Sequence, residues 1–200
     1  MCSCENMPCK NARSALIYND KSKNLLLKFK HADQTQHATL LAGWMLNAAS
    51  DIIPEIHCFL PVPLHWKRLM KRKYNQSAIL ASILAKKTGK TLDTQALQRI
   101  RATPPQQSLK QRERLSNVQG AFAVKHPERL RNKHVALIDD VWTTGATLTE
   151  CTEVLLKAGV ASVSWICAAR VVRAEDMDET LDLSAFQGIS DNSTATSILS

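Results

Sequence analysis

Residues 135–147, VALIDDVWTTGAT, join a run of β-forming apolar residues to two adjacent carboxylates and a Thr- and Gly-containing bend. Asp139 and Asp140 can accept hydrogen bonds from a sugar diol, or hold a Mg²⁺ ion that bridges to phosphates. A bend before a helix can direct backbone N–H groups and hydroxyls at one anion. The residues of this bend are Thr143, Thr144, Gly145, Ala146 and Thr147. The combination favours a sugar phosphate as the ligand.

The alternative interpretation is a strand-end turn in which Asp and Thr only cap the next helix. A lone Thr-Thr-Gly would favour that alternative. The complete pattern, with two hydrophobic residues and two acids before Thr-Thr-Gly-x-Thr, favours a ligand site. Because each exposed helix-terminus interaction contributes only about 0.3–1 kcal/mol, phosphate affinity has to come from several donors together.

Positive charge is concentrated in one window of the chain. Residues 65–114 hold thirteen Lys or Arg residues and two acids, so the window carries +11 and the remainder carries −3 of the net +8. Charge confined in this way indicates an anionic partner: a phosphorylated metabolite, a nucleic acid or an acidic protein face. The alternative is a solvated basic surface that keeps the protein soluble.

Length and composition predict a globular protein with one main domain. The 200 residues are 44 % hydrophobic and 22 % charged, as in ordinary globular proteins. The longest apolar stretch, 58–64, is far shorter than the ~18 residues that a membrane span needs. No signal peptide opens the chain. We therefore expect a cytoplasmic protein without membrane insertion.

Three of the six cysteines, Cys2, Cys4 and Cys9, lie at the N-terminus. Their C-x-C-x4-C spacing lacks the paired C-x-x-C of a zinc ribbon. A frayed tail with free thiols is favoured over a remnant of a zinc module. The other three cysteines lie in apolar runs and are predicted to be reduced core residues.

Strands alternate with helices along the chain. Apolar runs predict strands at 14–18, 58–62, 135–138 and 162–169, and helical periodicity predicts helices at 21–30, 76–87 and 147–158. One more helix is predicted, with an apolar face formed by Leu40, Leu41, Trp44, Met45 and Ala48. This alternation predicts an α/β fold with βαβ units and a parallel sheet covered by helices on both faces. Ligands of such sheets bind beyond the carboxyl ends of the strands.

The segment 99–120 interrupts this pattern. It is basic, rich in Gln and broken by Pro104-Pro105, and long polar loops of this kind are functional or disordered. The predicted organisation is a Cys-containing tail at 1–13, one domain at 14–180, and a polar, partly disordered tail at 181–200.

The quoted stretch closely resembles the phosphoribosyl-diphosphate (PRPP) signature of type I phosphoribosyltransferases. The segments PVPLHWKRLMKRKYNQ at 61–76 and RATPPQQSLKQRERLSNVQGAF at 101–122 resemble the ComF-like (competence protein F) branch of that superfamily. Together they cover most of residues 14–173. The chain departs from the branch in two ways: only a fragment of the N-terminal zinc module is present, and Lys73 replaces the glycine of the usual Arg-Gly-Phe-Asn-Gln.

The resemblance implies a Rossmann-like parallel sheet flanked by helices, the type I phosphoribosyltransferase fold, with a flexible hood. It also implies roles for particular residues. Asp139 and Asp140 would contact the ribose hydroxyls, with Mg²⁺ as cofactor, and the loop 143–147 would hold the 5-phosphate. Three basic residues after the strand at 58–62 are candidates for the diphosphate, although they also suit a charged helix face: Lys67, Arg68 and Arg72. The hood, 101–118, would bring four cations over the site: Arg101, Lys110, Arg112 and Arg114.

Two functions of different classes follow. In the first, phosphoribose is transferred to a nitrogen nucleophile through an oxocarbenium-like C1 as diphosphate leaves, chemistry that needs charge and positioning more than a covalent nucleophile. In the second, the fold is a PRPP- or nucleotide-sensing module, or handles single-stranded DNA during DNA uptake. The basic window suits DNA but offers only Trp66 and Tyr74 for stacking. The acceptor and the oligomeric state, a homodimer included, stay open.

Overall fold

A parallel sheet forms the centre of the computed structural model, which describes residues 7–29, 35–64, 74–101 and 118–172. The first half of the chain contains β1 (Asn11–Ile17), α1 (Asp20–Phe29), α2 (Thr35–Ala48), β2 (Cys58–Pro61), α3 (Gln76–Thr88) and β3 (Thr91–Leu92). The second half contains β4 (Leu97–Arg99), β5 (Phe122–Val124), β6 (His134–Trp142), α4 (Ala146–Lys157) and β7 (Ser162–Arg170). Short 3-10 turns lie at Ile53–Glu55 and Pro127–Arg129.

The five strands of the sheet run in the order β1-β7-β6-β2-β3, and all neighbours are parallel. β6 lies at the centre, where Ile138 pairs with Pro61 of β2 on one side and with Ile166 of β7 on the other. β4 and β5 form a separate antiparallel pair. The predicted α/β fold with a parallel sheet is confirmed.

Both faces of the sheet are buried, which explains why its central strands read as continuous apolar runs. On one face, α1, α2 and α3 pack against residues such as Phe59, Ala136 and Ile138. On the other face, α4 and β5 pack against residues such as Leu60 and Leu137. Successive residues of β2 and β6 therefore alternate between the two cores, as the period of a strand requires.

The connections that follow β2 and β6 lead to opposite edges of the sheet. The chain leaves β2 for β3 toward one edge of the sheet, whereas it leaves β6 for β7 toward the other. The helices that follow, α3 and α4, accordingly lie on opposite faces. Such a reversal opens a crevice at the carboxyl ends of the two strands, which is where open α/β sheets bind ligands.

Several element boundaries differ from the prediction. β6 extends to Trp142, so the acidic pair lies inside the strand and the bend starts only at Thr143. The strand expected at 14–18 begins at Asn11. The short strands β3, β4 and β5 were not predicted, because two or three residues give no periodic signal.

The expected inward face of α2 is partly wrong. Leu41 and Met45 are buried, but Leu40 and Trp44 are 44 % and 40 % exposed. Alanines fill the positions beside the sheet instead, because close packing of a helix on a sheet suits small side chains. They are Ala38, Ala42 and Ala49.

Cys9 does not lie in a frayed tail. It is buried in the core, as are Cys58, Cys151 and Cys167, and none of these four described cysteines forms a disulfide. The neighbouring Lys10 N–H donates a hydrogen bond to the Val163 carbonyl, which ties the start of the chain to β7. Cys2, Cys4 and the tail at 181–200 lie outside the described residues.

The helices in the described ranges are all too short for a bilayer: α2, the longest, has 14 residues, and about 20 are needed.

Candidate functional site

The acidic pair lies where β6 has a neighbour on one side only. Pairing with β2 ends at Ile138, whose carbonyl accepts the Val62 N–H at 2.9 Å, whereas pairing with β7 continues to Trp142. The chain after β2 leaves the sheet through Val62, Pro63 and Leu64. Asp139 and Asp140 therefore line the crevice between β2 and β6, and both remain partly accessible.

The carboxylates are held by donors of the protein. Asp139 Oδ1 accepts the Asp140 N–H and the Ser77 hydroxyl, each at 2.9 Å, and Asp140 Oδ1 accepts the Val141 N–H at 2.8 Å. Burial first, and then the charge of Asp140, raise the pKa of Asp139 well above the ordinary value of 3.8. Two adjacent carboxyl groups of this kind favour a ligand that brings positive charge or hydrogen-bond donors.

The bend at 143–145 follows directly and leads into α4. Gly145 is the N-cap of that helix with φ +78°, in the left-handed region that favours glycine. A Cβ added there would lie 3.1 Å from Trp142 Nε1 and 3.5 Å from Trp165 Cζ3. Glycine is thus required for two independent reasons, its backbone conformation and its contact with the indoles below.

The amides of the bend contribute little to the hydrogen bonding of the described fold. Within the described part of the chain, the N–H groups of Thr143, Thr144 and Gly145 donate no hydrogen bond, and that of Ala146 has only a long one of 3.4 Å to Thr144 Oγ1. α4 has no acidic residue in its first turn. Consecutive unbonded amides at the positive end of a helix form an anion-binding concavity.

Two tryptophans support the bend from beneath. Trp142 and Trp165 meet edge to face with centroids 5.4 Å apart, and the Arg170 guanidinium lies 5.3 Å from the centroid of the Trp142 ring. Trp165 Nε1 donates to the Thr152 hydroxyl at 2.8 Å, and that hydroxyl donates to the Leu148 carbonyl at 2.8 Å. This chain of bonds fixes α4, and with it the bend, on β7.

Sequence reasoning missed Asn75 and Ser77. Asn75 is the N-cap of α3: its side chain accepts the Ser77 N–H at 3.0 Å and donates to the Val62 carbonyl at 3.0 Å. An Asn before an apolar helix is a recognisable cap signal, but the contact between Ser77 and Asp139 joins residues 62 positions apart. A single sequence carries no signal for such a contact.

The residues predicted for the diphosphate, Lys67, Arg68 and Arg72, lie outside the described residues, as do the hood residues Lys110, Arg112 and Arg114. Arg101 is described and exposed, and its guanidinium donates to the Gln119 carbonyl. The neighbouring Ile100 N–H donates to the Ala121 carbonyl at 2.9 Å. These two hydrogen bonds connect the residues just before 102–117 with the residues just after it.

The residues that follow 102–117 in the chain contact the helix after the bend. The Gly120 N–H donates to Glu150 Oε1 of α4 at 2.7 Å, and β5 packs on α4. The residues just after the predicted hood therefore lie beside the helix that follows the bend.

A resident metal cage is not formed in the described ranges, where no three His, Cys, Asp or Glu side chains come together. Two carboxylates alone suit Mg²⁺ that arrives with phosphates, because Mg²⁺ is usually held by one or two protein carboxylates, waters and phosphate oxygens. The closeness of Asp139 and Asp140 fits a cation delivered in that way.

Comparisons with known proteins agree with this architecture. The phosphoribosyl transferase domain family matches residues 74–197. DNA utilization protein YhgH of Salmonella typhi is 33 % identical over 153 residues, 74 % of this chain and 66 % of that protein. Competence protein F of Haemophilus influenzae is 31 % identical over 70 % of this chain and 63 % of its own length.

Competence protein ComFC of Bacillus subtilis is 31 % identical over 76 % of this chain and 61 % of its own length. This chain thus spans about two thirds of the length of these three relatives. A solved structure described as the allosteric regulatory enzyme of purine biosynthesis aligns with 66 % of this chain and 25 % of its own, at 21 % identity and a TM-score of 0.45. That likeness carries no part of the assignment. From the family match and these relatives, the chain belongs to the ComF-like branch of the phosphoribosyl transferase domain family.

Proposed function

We propose that this protein binds PRPP together with Mg²⁺ and transfers the phosphoribosyl group to a nitrogen nucleophile, with diphosphate as the second product. The observation that carries the proposal is the set of three amides at Thr143, Thr144 and Gly145 that donate no hydrogen bond within the described ranges. They lie directly beside two partly accessible carboxylates. A phosphate monoester and a neighbouring diol are the groups that such a pair of sites would recognise together.

In the proposed complex, each part of the site has one task. The bend binds the 5-phosphate through its amides, its threonine hydroxyls and the N-terminus of α4. Asp139 and Asp140 accept hydrogen bonds from the ribose hydroxyls and so fix the sugar ring. Their negative charge also lies near the carbon that becomes positive as the bond to diphosphate breaks. Bound Mg²⁺ would supply positive charge to the departing diphosphate.

Calorimetry with PRPP and Mg²⁺ tests the binding step. Wild-type protein should give a saturable heat, and the Asp139→Asn/Asp140→Asn variant should bind more weakly, by about ten-fold or more, since each lost charged hydrogen bond costs ~1.5–3 kcal/mol. Glu153→Gln, on the exposed part of α4, is the control and should bind as wild type does. No heat from the wild type at millimolar ligand would contradict the proposal.

The transfer step has a separate test. Wild-type protein incubated with PRPP, Mg²⁺ and a panel of purines, pyrimidines and amines should release diphosphate with at least one acceptor, and Asp140→Asn should abolish the release. Binding without release for every acceptor would favour a PRPP-sensing module on the same site.

A second candidate function is the handling of single-stranded DNA. The observations that favour it are the charge of +11 on residues 65–114 and the names of relatives that are described as DNA utilization or competence proteins. DNA binding of this kind should weaken steeply as salt rises, because it depends on phosphate contacts. A DNA affinity that is unchanged between low and high salt would contradict it.

A further inference from the structure

We propose that Ser77 is a positioning residue of the site: it holds one oxygen of Asp139 so that the other oxygen, Oδ2, alone meets the sugar. This inference rests on the proposed function and deepens it. It specifies which atom of the acidic pair binds the ribose hydroxyl and which helix positions that atom.

The contacts of Asp139 divide its two oxygens. Oδ1 accepts both the Ser77 hydroxyl and the Asp140 N–H, each at 2.9 Å. The Asp140 carboxyl also contacts the Asp139 carboxyl. An oxygen that already has two donors has little capacity for a third. The sugar hydroxyl is therefore expected at Oδ2.

Ser77 is itself rigidly placed. It is the second residue of α3 and only 4 % exposed. Its N–H is held by the side chain of Asn75, and the same side chain is bonded to the Val62 carbonyl at the end of β2. The first turn of α3 is thus attached to β2 while the Ser77 hydroxyl reaches across the crevice to β6. The contact joins the two strands that diverge at this point.

A buried serine hydroxyl needs an acceptor in any protein, so its bond to Asp139 has a purely structural alternative. The two interpretations differ in which ligands they affect. If Ser77 only stabilises the fold, its loss should weaken the binding of every ligand of the site to the same extent, or of none. If Ser77 positions Asp139, its loss should weaken the binding of ligands that carry the ribose hydroxyls. The binding of ligands that occupy the bend alone should be unchanged.

The experiment compares two ligands, PRPP with Mg²⁺ and inorganic phosphate, by calorimetry and by NMR titration of the bend amides. We expect Ser77→Ala to bind PRPP about ten-fold more weakly than wild type, because Asp139 Oδ2 would lose its alignment and with it the hydrogen bond from the ribose hydroxyl. Phosphate should bind Ser77→Ala as it binds wild type. Ser77→Thr keeps the hydroxyl and should restore PRPP affinity.

The matched control is Ser22→Ala. Ser22 is a buried serine in the first turn of α1 whose hydroxyl donates to the Ile17 carbonyl at 2.8 Å, so it bonds to backbone alone. PRPP affinity should be unchanged in this variant. If Ser77→Ala does not fold, Ser77→Cys replaces it, since the thiol keeps the size of the side chain and is a weak donor.

The outcomes separate this inference from the proposed function. PRPP that binds wild type and Ser77→Ala equally would overturn the inference and leave the function standing. Equal weakening of PRPP and phosphate in Ser77→Ala would also overturn it, because the effect would then be on the site as a whole. A wild type that binds neither ligand would overturn the proposed function, and this inference with it.

Discussion

At the scale of single residues, Gly145 is a position of the site that does not accommodate a larger residue. Its φ of +78° and the indole 3.1 Å from where a Cβ would lie leave no room for a side chain without movement of Trp142. The amides of Thr143 and Thr144 depend on the same bend. A change at Gly145 should therefore alter stability and ligand binding together.

Gly145→Ala should lower the free energy of unfolding by about 2 kcal/mol, since a left-handed alanine costs about 1–2 kcal/mol and the indole contact adds to this. It should also lose PRPP affinity. Gly89→Ala is the control, because Gly89 has φ +69° but no atom within 4 Å of the added Cβ. It should show the backbone cost alone and bind PRPP normally. Urea unfolding and calorimetry measure both; equal behaviour of the two variants would be the contrary result.

Asp139 should make the ligand-free protein less stable as pH rises. Its pKa in the fold is raised above the ordinary 3.8 by burial and by the charge of Asp140. The fold therefore favours the protonated acid, and this stability is present below about pH 4 and lost as pH rises through the folded-state pKa.

Asp139→Asn removes that dependence. The variant should be more stable than wild type at about pH 8, and the difference should shrink toward about pH 4. The measurement is urea unfolding at both pH values; a variant that is less stable than wild type at the higher pH would contradict the stated cause.

At the scale of elements, α4 connects the bend to the core. Its position depends on the Thr152 hydroxyl, which accepts from Trp165 Nε1 and donates to the Leu148 carbonyl. Both Thr152 and Trp165 are fully buried. A bond of this kind is expensive to remove on one side only.

Thr152→Val should lower the free energy of unfolding by about 1–3 kcal/mol, because the buried indole N–H loses its acceptor while the shape is kept. Thr149→Val is the control: it lies on the same helix and is only half buried, and no hydrogen bond of its hydroxyl is among those of the described residues. Urea unfolding followed by tryptophan fluorescence measures the difference. Similar losses in the two variants would show that the indole bond is not the cause.

How much of this could be predicted from the sequence depends on the range of the interaction. The central strands and the helices follow local hydrophobic periodicity, and the acids and the bend lie in one continuous stretch. β4 and β5 are too short for that signal. The exposure of Leu40 and Trp44 and the bond between Ser77 and Asp139 depend on contacts between distant segments, which a single sequence does not encode locally.

At the scale of the whole molecule, the reversal of strand order between β2 and β6 explains why these groups meet. It places the N-termini of α3 and α4 on either side of one crevice, from opposite faces of the sheet. One helix brings the bend, the other brings Ser77, and β6 brings the two acids. The acids and the bend are continuous in sequence, whereas Ser77 lies 62 positions from Asp139 and reaches it only through the order of the strands.

The central claim is that the bend binds the phosphate of a phosphorylated pentose while the acids bind its hydroxyls. The most direct test is an NMR titration of ¹⁵N-labelled protein with PRPP and Mg²⁺, following the backbone amides of Thr143, Thr144 and Gly145. We predict that these three resonances move downfield and saturate together, and that they move far less in the Asp139→Asn/Asp140→Asn variant at the same ligand concentration. Amides that stay in place while PRPP saturates the protein elsewhere would contradict the account.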